Sequence, residues 1–171
     1  MKSIRRISMK KINRQSGFTL LEVIVVIFIV SLGLLGVLSL TTQNIRVQYI
    51  NKNNLIASQL AQEGLELARN IRDTNWLIPG NDWNQGLADG TYKIDYVNGI
   101  QPAIGLDDAK LYINGSGLYQ HTPLSDTNFS RLITVTNSAS IASSTIRCEV
   151  QWKERNNTYK YIAETELYDW R

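Results

Sequence analysis

The chain has 171 residues, enough for one domain plus an anchor, and its formal net charge is +3. Six of its eighteen basic residues and none of its fifteen acidic residues lie in residues 1–16, so the rest of the chain carries twelve bases against fifteen acids, a net charge of −3. This balance argues against a basic nucleic-acid-binding surface. The single cysteine, Cys148, excludes an intrachain disulfide.

An almost wholly apolar segment, residues 18–40, follows directly on a basic leader, residues 1–17. The segment is long enough to span a bilayer as a helix. It is longer than the roughly 7 to 15 apolar residues of a secretory signal peptide, and no A-x-A-like site follows it. The Lys and Arg residues before the segment predict a single-pass protein of the cytoplasmic membrane, with its N-terminus inside and its C-terminal part outside.

Glu22 is the one charged residue of this apolar segment. A carboxylate near the centre of a bilayer costs about 2.5 kcal/mol or more, so we expect a cation close to it. Cleavage after Gly17 would give Phe18 a free α-amino group, and Phe18 and Glu22 have the i, i+4 spacing of one helical face. That amine pairs with Glu22 of its own chain or of a staggered neighbour, and both arrangements stay open.

The run Ser16-Gly17-Phe18-Thr19-Leu20-Leu21-Glu22-Val23 resembles the N-terminal motif of the type IV pilin-like proteins, which include pilins, minor pilins and the pseudopilins of type II secretion. The resemblance implies that a prepilin peptidase cuts after Gly17, that Phe18 is N-methylated, and that Glu22 recognises a neighbour's N-terminus during assembly. It also implies further partners: other pilin or pseudopilin subunits bound through the N-terminal helix, a membrane assembly platform and, before assembly, the membrane lipid.

Residues 41–74 should continue the same helix, because they lack proline and their apolar residues recur at helical spacing. Much of this apolar stripe is small enough for a sheet to approach closely: Ala57, Ala61, Gly64 and Ala68. The expected helix covers residues 18–75 and ends before Pro79. Within its apolar part, Gly33 and Gly36 predict either close helix packing or, by resemblance to pilins, a soft point that unwinds in a fibre.

Residues 76–171 predict an antiparallel β-sheet head packed on the helix. Strand patterns occur at Thr91–Val97, Leu111–Ile113, Leu118–His121, Arg131–Thr136, Thr145–Lys153 and Thr158–Leu167. Cys148 lies on the apolar face of one of them and is expected to be a small buried hydrophobe. The predicted fold class is therefore α+β, type IV pilin-like: a long helix whose apolar half crosses the membrane or forms the fibre core, and whose amphipathic half carries the sheet.

The residue types needed for catalysis or metal binding are sparse, so neither an enzyme nor a cofactor is expected. His121 is the only histidine and falls in a predicted strand, and one His with one Cys makes a poor zinc site. Asp107 and Asp108 are candidates for calcium ligation through oxygen. Two adjacent acids in a loop are more commonly just solvated.

The sequence thus predicts a structural subunit of a type IV pilus-like fibre whose head decorates or caps the fibre. The segments 61–66, 118–121 and 167–171, together with Trp76, resemble PilV-type minor pilins, which favours a minor subunit. One alternative is a pseudopilin of a type II secretion or DNA-uptake system, which shares the motif. Another is a membrane-anchored protein whose head binds a surface, a glycan or nucleic acid through its tryptophans: Trp76, Trp83, Trp152 and Trp170.

Overall fold

The computed structural model describes residues 17–138 and 142–169. The leader before Gly17, and Trp170 near the C-terminus, lie outside the described residues. The chain divides into two compact units, Met1–Val47 and Gln48–Arg171, which we describe separately. Helix α1 (Leu20–Leu77) begins in the first unit and ends in the second, so the predicted continuity of the helix is confirmed.

In the first unit, α1 buries none of its apolar surface. The large apolar side chains from Leu20 to Leu40 are all exposed. The most apolar window of 18 residues has a mean hydropathy of 3.0 and none of it is buried. By length and composition, this part of the helix can cross a membrane.

The second unit is an antiparallel sheet of seven strands with α1 residues packed on one face. The strands are β1 (Gly90–Asp95), β2 (Gly99–Pro102), β3 (Lys110–Ile113), β4 (Tyr119–Gln120), β5 (Ser125–Ser138), β6 (Ser143–Glu154) and β7 (Asn157–Tyr168). The long β5 is central: β6 pairs with one edge of it, and β1 and β3 share the other edge. Beyond these, β2 pairs with β1, β4 with β3, and β7 with β6.

Two strands differ from the predicted ones. β2 was not predicted, because Gly99-Ile-Gln-Pro102 has no run of β-branched residues, and it forms only by pairing with β1. β5 begins at Ser125 rather than Arg131, because its polar first half is held by pairing with β3. The final hairpin is confirmed, with Arg155 in the left-handed region at a φ of 55° in its tight turn.

The small stripe on the helix lets the sheet approach closely, as predicted. Ala57, Ala61 and Ala68 are fully buried. A Cβ on Gly64 would lie 3.0 Å from Cδ1 of Ile133 and 3.1 Å from Sγ of Cys148. Cys148 is itself fully buried, and that burial raises the pKa of its thiol to about 12. Even a Cβ at Gly64 would therefore require the neighbouring side chains to move by a few tenths of an ångström.

We predict that Gly64→Leu destabilises the head by about 1 to 3 kcal/mol, because the added atoms overpack a filled site. Gln62→Leu is the matched control, since Gln62 lies on the exposed side of the same helix and should change stability by less than about 0.5 kcal/mol. Denaturant unfolding of the full chain in detergent, followed by near-ultraviolet circular dichroism, measures both. Equal stability of the two variants would contradict the close approach at Gly64.

Candidate assembly site

Thr19 caps the N-terminus of α1. Its carbonyl oxygen accepts hydrogen bonds from the backbone N–H of Glu22 at 3.0 Å and of Val23 at 3.2 Å. Its hydroxyl oxygen accepts a further one from the Glu22 N–H at 3.3 Å. Thr followed three residues later by Glu is the sequence pattern of a capping box. Sequence reasoning missed this role of Thr19, although the Thr-x-x-Glu spacing could have revealed it.

The cap places Phe18 just outside the helix, which begins at Leu20. Phe18 and Glu22 were predicted to lie on one helical face. Phe18 lies before Thr19, the N-cap residue, so it is not part of that face. Phe18 is 81% exposed. Glu22 is exposed as well, and among the described residues its carboxylate has no hydrogen bond or ion pair. Both groups are thus accessible to a second chain.

The hydroxyl of Ser31, another polar residue of the apolar segment, is satisfied within the helix. The Ser31 hydroxyl donates to the Ile27 carbonyl at 2.7 Å. The charged side chain of Glu22 has no such partner among the described residues, so it needs one from outside. Gly33 and Gly36 lie in the exposed helix with no atom within 4 Å of an added Cβ, and both interpretations of them stay predictions.

The calcium candidates lie in the loop before β3, and one of them is already paired. Asp108 accepts a hydrogen bond from Nζ of Lys93 at 3.1 Å and one from the Ile104 N–H at 3.4 Å. The hydrogen bond from Lys93 is the main cause that lowers the pKa of Asp108. Among residues 17–138 and 142–169, no three His, Cys, Asp or Glu side chains come together as a metal site would require.

The single histidine has a structural environment. Nδ1 of His121 donates to the Lys110 carbonyl at 3.0 Å, and burial lowers the pKa of the ring. The backbone N–H of His121 donates to the buried carboxylate of Asp95 at 2.8 Å. Burial alone would raise the pKa of Asp95, but hydrogen bonds from His121, Asn98 and Val97 outweigh it and hold that pKa below its usual value. Through these hydrogen bonds, the Asp95 carboxylate links the β1–β2 turn to His121, directly after β4.

A buried arginine joins the helix to the sheet. Arg131 is completely buried on β5. Its Nη1 donates to the Leu60 carbonyl at 3.0 Å and lies 3.3 Å from Oε2 of Glu63, both on α1. Its Nη2 donates to the Ile94 carbonyl of β1 at 2.6 Å. The sequence did not predict these hydrogen bonds of Arg131, although the alternation of the strand puts Arg131 on the same face as Ile133.

We predict that Arg131→Met destabilises the head by about 1 to 3 kcal/mol, because the buried Ile94 carbonyl loses its donor. Arg147→Met is the matched control, because Arg147 pairs with Glu164 at 2.9 Å on the exposed face of the neighbouring β6 and should cost less than about 1 kcal/mol. Thermal unfolding of both full-length variants measures the difference. A loss of stability in Arg147→Met as large as that in Arg131→Met would contradict the role of Arg131 in joining the helix to the sheet.

Residues 12–38 match the family model of the prokaryotic N-terminal methylation motif. The matched residues include Gly17, Phe18, Glu22 and the first turns of α1. Together with the apolar helix, the match supports a pilin or pseudopilin subunit of the type IV pilin-like class. The motif suggests assembly with other such subunits and processing by a prepilin peptidase. Inner-membrane anchoring followed by a pilus fits both observations. No curated protein and no solved structure matches the chain.

Proposed function

We propose that the chain is a minor subunit of a type IV pilus-like fibre. In this proposal it enters the cytoplasmic membrane with its head outside, is cut after Gly17, is methylated on Phe18, and joins the fibre through its N-terminal helix. The role is structural rather than enzymatic. The observation that carries the proposal is the methylation motif at the start of a helix whose apolar segment is not buried against any described residue.

The exposed apolar segment supports assembly on energetic grounds. Water-exposed apolar area costs about 25 cal/mol per Å², so the side chains from Leu20 to Leu40 need lipid or other helices around them. Lipid covers them before assembly. Helices of neighbouring subunits cover them in a fibre, where the head stays in water.

Glu22 gives this otherwise non-directional association a register. Cleavage after Gly17 would create a cation at Phe18, directly before the helix cap at Thr19. In a staggered bundle, the amine of one subunit meets the exposed carboxylate of the next. Because an unpaired charge in an apolar surround is costly, subunits in the wrong register are disfavoured. The minor role is supported by the resemblance of segments 118–121 and 167–171 to PilV-type minor pilins.

We predict that Glu22→Ala leaves membrane insertion and cleavage after Gly17 intact but lowers incorporation into fibres at least about tenfold, the effect of losing roughly 1.4 kcal/mol of pairing. Glu22→Gln should fail similarly, because an amide keeps the shape but not the charge. Immunoblots of sheared fibres and of membrane fractions measure the two steps.

Ser31→Ala is the matched control, because it removes a polar group of the same segment that is already satisfied within the helix. It should assemble at the wild-type level. Wild-type incorporation of Glu22→Ala would overturn the pairing role, whereas failure of both variants to insert would point to a general defect of the membrane segment.

A further inference from the structure

β7 is a long edge strand whose second edge no described strand covers. It pairs with β6 from Asn157 to Tyr168 without a register shift. Among the described residues, β6 is the one strand that pairs with it. The backbone N–H and C=O groups along its outer edge are therefore available to another strand.

Three features that normally block such an edge are missing from β7: a proline, a bulge and an inward-pointing charge. It contains no proline, and its ladder has no bulge. Its helix-facing side chains carry no charge, and Tyr159, Tyr161 and Ala163 pack against the core. Its charged residues alternate with these and so lie on the opposite, outer face: Lys160, Glu164 and Glu166. At the far side of the sheet, by contrast, β2 and β4 are short.

The charges of β7 are self-complementary about Ile162. Two antiparallel copies with Ile162 opposite Ile162 place Lys160 of each opposite Glu164 of the other. In the described chain, Lys160 has no ion pair, and Glu164 contacts Arg147 through only one of its carboxylate oxygens. On the helix-facing side, the same register places Tyr161 opposite Ala163, a large side chain against a small one.

We propose that β7 pairs antiparallel with β7 of a second copy of this chain, in the register centred on Ile162. The contact is isologous, since the same edge serves both copies. Its two-fold axis makes the helical segments 48–77 of the two copies run in opposite directions. Subunits of one helical fibre all point the same way. The contact therefore joins heads from two fibres, a consequence that rests on the proposed function, whereas the pairing itself does not.

Cross-linking of the full chain in detergent tests the register. Ile162→Cys should form a covalent dimer with a short homobifunctional maleimide, because this register places residue 162 opposite itself. The native Cys148 is fully buried and does not compete. Thr158→Cys is the matched control on the same outer face. Its two copies would lie roughly 26 Å apart along the strands and should not cross-link.

Charge reversal then tests the recognition. In the Ile162→Cys background, Lys160→Glu or Glu164→Lys alone should lower the dimer yield at least about tenfold, because each places like charges opposite each other twice. Mixing the two variants should restore a mixed dimer, in which both pairs are again of opposite sign. Circular dichroism checks that each variant is folded, and Lys160→Glu alone decides the test should Glu164→Lys unfold.

Absence of the Ile162→Cys dimer would overturn the pairing. So would a dimer that Lys160→Glu leaves unchanged, or one matched by Thr158→Cys, since either would show association without this register. None of these outcomes depends on fibre assembly, so they are separate from the fate of the Glu22 variants.

Discussion

The apolar side chains from Leu20 to Leu40 are exposed and pack against no other described part of the chain, and most of the molecule's organisation follows from that constraint. A helical surface of this kind is stable only in lipid or among other helices. Hydrophobic association alone is not directional, so it sets neither axial position nor neighbour. One charge within the segment, together with a capped helix start that exposes it, supplies the missing direction. Thr19 thus matters as much as Glu22, because this N-cap residue sets where the helix begins and leaves Phe18 outside it.

In the head, the sheet packs on the helix without a disulfide, and two features of the interface stabilise that packing. Gly64 removes the side chain at the closest approach, and Arg131 crosses the same interface with hydrogen bonds to main-chain carbonyls on both sides. The first device allows van der Waals contact over a small-residue stripe. The second satisfies buried polar groups and fixes which residues face each other. Both act within residues 48–171, so the head has its own core.

The sequence predicted those features that local patterns encode. The apolar run, the small stripe at Ala57, Ala61 and Gly64, and the strict alternation around Cys148 each led to the correct element and the correct buried face. Features set by tertiary contacts were missed. β2 exists through its partner strand rather than its own propensity, and Arg131 is buried because two carbonyls from distant segments converge on it. Phe18 was placed in the helix because the helical spacing was extended past its cap.

The mass of the mature chain shows whether Phe18 carries the amine on which assembly depends. The protein isolated from membranes or fibres should begin at Phe18, because assembly needs a cation at that position, and should carry one methyl group on its amino nitrogen, as the matched motif implies. Intact-mass measurement with fragmentation of the N-terminal peptide reads both features at once. A mature chain that retains Met1, or one that begins after Leu40, would contradict the account, because the helix would then lack either the amine or the apolar segment on which assembly depends.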